Sequence, residues 1–412
     1  MSLLLACLAD DFTGATDALE SLSLAGLQTM MFAEVPTREE VQAIPGLQAI
    51  VVASAARSWT AQEAERVRPI LTALRDLEPA HVVFKVCSTF DSSPERGNIG
   101  RVIEIGAEVF DQSTVPVVAG APALGRYLVF GNLFAAGSIA SGAEVHRLDR
   151  HPVMSHHPVT PMDESDLVRH LALQTDRSIG LFDFRHFTLQ EAIREHTWNG
   201  ERERHGILLC DLLTHEQQPV LGALLAKERF IVGSSGATSS LGAHWSSTGV
   251  ATPREDWPHV PATGPVLVIS GSCSAVTGKQ IETAIAAGWE GVDALSDSAV
   301  DDAATALLAG NNAILHTSIG PDDPRRSAEF PDLGKRLGEF TARITSKVPT
   351  VRRLVFAGGD TSSHALTQLG IHSFQMISQL TPGAPLCQGD DFEIICKGGQ
   401  VGPDDFFLRT AD

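Results

Sequence analysis

The sequence predicts an α/β protein of two domains, each built on a mostly parallel sheet. Three observations carry this. Short apolar runs alternate with amphipathic stretches along the chain, the order that makes βαβ units. The runs are apolar throughout rather than at every second residue, as in strands buried on both faces. The chain has 412 residues, more than one ordinary core accommodates. Between Ser246 and Pro265, small polar residues and prolines without periodicity read as a linker. The expected division is a first domain at 1–246, a linker at 247–262 and a second domain at 263–412.

In chain order, Leu3–Ala9 is the first strand, an unbroken apolar run that stops at two acids, Asp10 and Asp11. Thr13, Gly14 and Ala15 then open an amphipathic helix that ends near Gly26. A second apolar run at 48–53 leads to a helical pattern at 60–76, and a third run at 82–86 ends in polar residues. Further strands are expected at 115–119, 207–211 and 230–233, with a helix at 163–173. Residues 120–162 read as a loop-rich region, a length of connection that tends to be functional. After the linker the run Pro265–Ser270 starts a new strand. Strands at 313–317, 353–357 and 392–396 then alternate with helices at 274–287, 332–346 and 361–369.

Composition narrows the function. Hydrophobic residues make up 43% and charged residues 20%, as in a globular chain. The formal net charge of −19 argues against nucleic acid and against anionic membrane as partners. It leaves room for an anionic small molecule, whose pocket is governed by local Arg, Lys and backbone N–H groups. The six cysteines are scattered without a CxxC pair, the usage of reduced structural thiols in a cytoplasmic protein. The apolar N-terminal run lacks a basic flank and leads straight into acids, so it reads as a strand and not a targeting segment. No apolar run is long enough to span a membrane.

Ligands of open α/β sheets bind beyond the carboxyl ends of the strands. The candidate site residues are therefore sought there. One of Asp10 and Asp11 is expected to cap the following helix. The second acid beside it points to a ligand, a metal or a reacting hydroxyl. After the third strand, Lys85, Ser88, Thr89 and Asp91 could hold a hydroxylated, carboxylated ligand. Arg57 is a candidate clamp for a carboxylate, which guanidinium binds through two parallel hydrogen bonds. The turn Gly97-Asn98-Ile99-Gly100 offers backbone N–H groups at a helix start, a natural anion site. Taken singly, each of these also fits an ordinary turn, cap or ion pair. The functional reading rests on three successive strands ending in this way.

The second domain carries glycine turns. Ser270-Gly271-Ser272-Cys273-Ser274 lies between a strand and a helix. It is not a P-loop, because six residues separate Gly271 from Gly278 and Gln280 stands where Ser or Thr would ligate magnesium. Ala357-Gly358-Gly359-Asp360-Thr361-Ser362 repeats the strand–turn–helix order, and Lys397-Gly398-Gly399 follows the last strong strand. Paired glycines allow a phosphate to approach the backbone. Asp360 reads as an N-cap or as a group for magnesium or ribose. Three such turns in one small domain suggest a nucleotide. By contrast, His146, His151, His156 and His157 lack a carboxylate or HExxH frame for zinc. Ser88 and Cys87 lack the GxSxG elbow of a hydrolase.

These residues resemble the four-carbon acid sugar kinases over nearly the whole chain. The shared signatures are Ala9-Asp10-Asp11-Phe12-Thr13-Gly14-Ala15, Ala357–Ser362, Pro382-Gly383-Ala384-Pro385-Leu386 and Lys397-Gly398-Gly399. Cys87–Ser92, Gly97–Gly100, Gly131-Asn132-Leu133-Phe134, His157–Met162 and Ser270–Ser274 are most similar to the 3-oxo-tetronate 4-kinase branch. Pro94–Gly97 is one residue longer than that pattern, and Asn132 stands in place of His. Both departures bear on the identity of the acid.

The resemblance implies an acid-sugar-binding first domain and an ATP-binding second domain, with an interdomain active-site cleft. It implies ATP and Mg2+ as cofactors, and a homodimer. The implied reaction is phosphorylation of the C4 hydroxyl of a 3-oxo-tetronate, with D-threonate or D-erythronate as alternative acceptors. Asp10 or Asp11 would serve the hydroxyl, and Arg57 and Lys85 would orient the acid. Ser270, Ser272, Ala357, Gly358, Gly359, Asp360, Thr361 and Gly399 would cradle the nucleotide. A non-catalytic nucleotide- or acid-binding regulator on the same fold is the reading from another class, and the strand-end acids argue against it.

Overall fold

A computed structural model describes residues 3–137, 144–152, 154–156, 160–320, 323 and 333–412, apart from the side chains of Asp360 and Ser363. The chain forms two compact units. The first comprises Met1–Thr29 and Val35–Arg254, and the second Met30–Glu34 and Glu255–Asp412.

The first unit begins with β1 (Leu5–Ala9) and α1 (Phe12–Leu24). Every residue of β1 is buried, as the unbroken apolar run requires. Asp11 is the N-cap of α1: its Oδ1 accepts the Gly14 N–H at 2.6 Å. The short strand β2 (Thr29–Phe32) follows, and most of it belongs to the second unit. Then come α2 (Arg38–Ala43), β3 (Ala49–Ala53), α3 (Val67–Asp76) and β4 (His81–Lys85). The helix expected from residue 60 starts only at Val67. Thr60 and Glu63 bond to each other through side chain and backbone, and this tightens Glu63–Arg66 into a 3-10 turn.

Next are α4 (Ile99–Val109) and β5 (Val115–Val118). The expected loop-rich region contains a three-stranded antiparallel sheet of β6 (Arg126–Val129), β7 (Asn132–Ala136) and β8 (Val145–Arg147). Phe130 and Gly131, both at positive φ, make the two-residue turn between β6 and β7. Phenylalanine is not a signal for such a turn, so the hairpin is invisible to sequence rules. The unit closes with α5 (Leu167–Ala172), β9 (Ile179–Phe182), α6 (Glu191–Arg204), β10 (Ile207–Cys210), α7 (Gln218–Leu225), β11 (Phe230–Gly233) and α8 (Ser235–Ser247). Its main sheet is parallel, in the order β3-β1-β4-β11-β5-β10-β9. The chain turns to opposite sides of β1 for β3 and β4, which places a switch-point crevice beside the end of β1.

No helix or strand occupies residues 248–265. The second unit then runs β12 (Val266–Ser270), α9 (Ala275–Ala286), β13 (Glu290–Asp293), α10 (Ala299–Leu308), β14 (Ala313–His316), α11 (Leu333–Lys347), β15 (Arg353–Ala357) and α12 (Gly359–Gln368). The antiparallel pair β16 (Ser373–Thr381) and β17 (Ala384–Gln388) follows, then β18 (Glu393–Lys397) and α13 (Phe406–Arg409). Strands β13-β14-β12-β15-β18 are parallel neighbours, and β17, β16 and β2 continue antiparallel. Here the switch point lies between β12 and β15.

The core beneath this sheet holds Val268, Ile281, Val355, Ile395, Phe406 and Phe407. The buried Arg353 is held at all three nitrogens: Nε meets Glu393 Oε2 at 2.7 Å, Nη1 donates to Thr410 O and Nη2 to Val260 O. All six cysteines are free thiols. Among the described residues no helix is long and apolar enough to cross a membrane.

Candidate functional site

In the first unit, register brings three strand ends together. Ala9 of β1 lies beside Ala53 of β3 and Lys85 of β4. Asp10 and Asp11 therefore emerge next to the turn that carries Arg57. The guanidinium grips both acids. Its Nε and Nη2 donate to Asp10 Oδ2 and Oδ1 at 3.1 and 2.7 Å, and its Nη1 donates to Asp11 Oδ2 at 2.7 Å. The backbone fixes the same contact, since Arg57 N donates to Asp10 O at 3.1 Å. Gly97, at φ +61°, packs on the Arg57 carbonyl, where a β-carbon would come within 2.8 Å. Three of the five guanidinium N–H groups are thus engaged, and two remain for a ligand.

The acids are not equivalent. Asp10 is the more deeply buried, with 5% of its side chain exposed against 23% for Asp11. Burial pushes the Asp11 carboxyl above the usual carboxylate range; Arg57 opposes this and the neighbouring Asp10 charge adds to it. Burial works against the Arg57 cation, yet Asp10 and Asp11 hold its pKa above the ordinary value.

Lys85 has a partner that the sequence did not reveal. Its Nζ lies 2.8 Å from Asp17 Oδ2 on α1 and donates to Val86 O at 3.3 Å. Burial opposes its charge, but Asp17 outweighs this and raises its pKa. Beyond β4, Ser88, Thr89 and Asp91 are all buried. Thr89 Oγ1 lies 2.9 Å from Cys87 Sγ. Burial, with the Asp91 charge nearby, pushes the Cys87 thiol up to about 11, so it stays protonated at neutral pH. Asp91 Oδ1 is buried without a hydrogen-bond partner, a costly state for a carboxylate oxygen.

The loop that presents Asp91 is itself strained and braced. Phe90 is wholly buried at φ +60°, a conformation that persists only where its surroundings impose it. Ser92 Oγ, His170 Nε2 and Gln174 Nε2 lie within 3.0 Å of one another in a buried triangle. Gln174 also answers the expected anion turn. Its Oε1 accepts Ile99 N at 2.9 Å and Gly100 N at 3.3 Å, while Asn98 Oδ1 caps α4 through Arg101 N. Those donors serve the protein in this structure. Asn132 likewise holds its own hairpin, through Phe130 O and Ser165 Oγ.

In the second unit the three glycine turns converge. Ser270, Ala357 and Lys397 lie side by side across β12, β15 and β18. Gly271 N donates to Ala357 O, and Gly358 N to Lys397 O. Gly358 sits at φ +119° as the N-cap of α12, a conformation that L side chains rarely adopt. A β-carbon on Gly271 would strike Thr361 Oγ1, and one on Gly399 would come within 2.7 Å of Ser272 Oγ. Ser272 Oγ accepts Ser274 N, and Ser274 Oγ caps α9 through Val276 N. The buried Ser270 Oγ has no hydrogen-bond partner. The arrangement offers small side chains, an orphan hydroxyl and the start of α12 on one edge, a setting that fits nucleotide phosphates.

The Asp360 side chain, His157 and the start of the His157–Met162 motif lie outside the described residues. Among the described residues no group of three His, Cys, Asp or Glu could hold a metal. His146 and His151 pack their rings edge to face. Besides Asp17 and Gln174, sequence reasoning missed Thr277. Its Oγ1 donates to Gly399 O at 2.8 Å and receives Lys397 Nζ at 2.9 Å. The one local signal for it was position, in the first turn of α9.

The chain is similar to known proteins over nearly its whole length. A sugar-binding N-terminal domain family matches residues 5–241, and a nucleotide-binding C-terminal domain family matches residues 267–407. A 3-oxo-isoapionate kinase of Paraburkholderia graminis is 38% identical, covering 98% of this chain and 93% of its own. 3-Oxo-tetronate kinases of Methylobacterium radiotolerans and Cupriavidus necator are 33% and 32% identical, covering 100% and 98% of this chain and 99% and 95% of their own. Among solved structures, a Salmonella typhimurium LT2 protein provisionally named a tRNA synthase matches with a TM-score of 0.80 at 26% identity, over 98% of each chain. A Haemophilus influenzae protein matches with a TM-score of 0.76 at 24% identity, again over 98% of each, and shows the shared fold.

Proposed function

The chain belongs to the four-carbon acid sugar kinase family, and from that premise we propose that it phosphorylates the C4 hydroxyl of a 3-oxo-tetronate with ATP as donor. The observation that carries this reading is a division of chemistry between the units. The unit with the sugar-binding match ends its central strands in Asp10, Asp11 and Arg57, and the unit with the nucleotide-binding match gathers three glycine turns. A net charge of −19 makes tRNA a poor partner for this chain.

Phosphoryl transfer requires positioning and charge neutralisation more than covalent chemistry from the protein. In the proposed mechanism, Asp11 accepts a hydrogen bond from the C4 hydroxyl and takes its proton as the new O–P bond forms and the bond from the γ-phosphorus to the bridging oxygen breaks, releasing ADP. It is the more exposed acid, and burial raises its pKa above the usual carboxylate range. Asp10 holds Arg57 in place through two hydrogen bonds, and the two free N–H groups of Arg57 face the acid's oxygens. Asp91, with its orphan oxygen, accepts a second substrate hydroxyl, and the Lys85–Asp17 pair fixes the floor. Gly358, Gly359, Thr361, Gly399 and Ser270 receive the phosphates. Bound Mg2+ would supply further neutralisation of phosphate charge.

A second acceptor is favoured by a specific observation. The 3-oxo-isoapionate kinase shares 38% identity, above the 33% of the 3-oxo-tetronate kinase from Methylobacterium radiotolerans. The test is ADP release with a panel of 3-oxo-tetronates, 3-oxo-isoapionate, D-threonate and D-erythronate, with the product's phosphate position read by phosphorus NMR. Release with a 3-oxo acid and phosphate on C4 supports the proposal. No release with any acid would favour a binding protein without catalysis. A homodimer is the proposed assembly, to be read by analytical ultracentrifugation.

A further inference from the structure

Lys397 ends β18 directly beneath the nucleotide turns, and its side chain is wholly buried. Its Nζ donates to Thr277 Oγ1 at 2.9 Å, and the same hydroxyl donates to Gly399 O at 2.8 Å. The amine is thus two hydrogen bonds from the backbone of the third glycine turn. The rings of Phe406 and Phe407 lie 5.7 and 5.8 Å from Nζ, an environment that attracts a cation through its π faces. No carboxylate among the described residues forms an ion pair with it. On α9, Lys279 and Glu282 are exposed and face each other at 3.5 Å; on α13, Asp405 and Arg409 are exposed and paired. Glu393 at the far end of β18 is taken by Arg353 of β15. On β17 the titratable group is the buried Cys387.

A buried amine without a counter-ion is costly, and a methionine would fill the same space without that cost. Its position at the carboxyl end of the central strands gives the cost a use. We propose that Lys397 is a concealed counter-charge for nucleotide phosphates, neutral in the free protein and protonated from solvent when the phosphates occupy the turns above it. This rests on the nucleotide-binding reading of those turns. Burial lowers the pKa of Lys397 from its ordinary range to about 7, so the free amine is neutral at pH 8. Phosphate charge nearby favours the ammonium and drives uptake of one proton per nucleotide, completing the Lys397–Thr277–Gly399 chain as a charged donor under the turn.

The experiment is calorimetry of Mg·ADP binding to the full chain in two buffers of different ionisation enthalpy, from pH 6 to pH 9. With a free-state pKa of about 7, uptake should approach about 0.9 proton at pH 8 and fall to about 0.1 at pH 6. Lys397→Met should abolish the pH-dependent part. Subtracting its profile removes the ionisation of the nucleotide itself. Relative to that variant, wild-type affinity should weaken toward about tenfold per pH unit above 7. If the variant does not fold, the wild-type uptake profile decides alone, because no uptake at pH 8 overturns the proposal. Equal uptake in both proteins also overturns it. Nucleotide binding without uptake leaves the nucleotide site standing and removes only the counter-charge, whereas no binding at all removes both.

Discussion

At the scale of the residue, the Asp10–Arg57–Asp11 cluster makes roles separable. Asp11→Asn keeps an acceptor for the Gly14 N–H, so the cap on α1 survives. The variant loses basicity and charge, and its amide NH2 opposes Arg57 Nη1 where Oδ2 had accepted. Turnover should fall by about 100-fold or more while Mg·ADP affinity stays near wild type, and the lost Arg57 contact should lower the melting temperature modestly. Near-normal turnover would move the base to Asp10 or reduce Asp11 to a cap. Arg57→Lys replaces a planar fork that makes three hydrogen bonds with a single ammonium. The loss should be on the order of 1–3 kcal/mol and fall mainly on KM for the acid, because binding to the unreactive end is shared by ground and transition states. It also has a pH signature. Arg57 pulls the Asp11 pKa down against burial, so a looser cation lets that pKa rise. The acid limb of the kcat profile should then move to higher pH. An unmoved limb would separate Arg57 from Asp11 in catalysis.

At the scale of the element, the β6–β7 hairpin shows how one carboxyl stabilises an unlikely turn. Asp211, just past β10 and wholly buried, accepts the N–H groups of Phe130, Gly131 and Phe184 at 2.7, 3.0 and 3.1 Å. Burial pushes its pKa up to about 6, against the pull of these three donors. A folded-state pKa above the unfolded value means that the native protein holds this proton more tightly. Its contribution to stability therefore falls as pH rises from about 4 to about 6 and is level above that. Asp211→Asn should flatten this part of the pH–stability curve. It should also destabilise by roughly 1–3 kcal/mol, since an amide NH2 would oppose one of the buried N–H groups. Denaturant unfolding at pH 4, 5, 6 and 7 measures both, and an unchanged slope would rule out Asp211 as its source. The hairpin also marks where sequence reading stops. The breaks after Ala9, Ser270 and Ala357 are local, an apolar run meeting polar or glycine residues, and could be read directly. The sheet within 120–162 could not, because Phe130 at positive φ depends on Asp211, 81 residues away. The partners of Lys85, Ile99 and Gly100 escaped for the same reason: Asp17 and Gln174 meet them only after folding.

At the scale of the whole molecule, the division into units does not follow the chain. Met30–Glu34 counts with the second unit, where Met31 and Phe32 pair with Phe374 and Ser373 of β16. A fragment of residues 255–412 alone would leave that edge of β16 open, and open edges recruit other strands. It should self-associate in sedimentation experiments, and a version with residues 28–36 fused back should not. A monomeric fragment of 255–412 would show that the edge needs no cover. The borrowed strand also sets a schedule. On the ribosome, Met31 and Phe32 are made roughly 340 residues before their partners on β16, a gap of roughly 17 to 70 s at ordinary synthesis rates. For that interval a short apolar segment waits in a half-made chain. Changing the speed of synthesis should therefore change the yield of active protein, read as activity per amount of chain made.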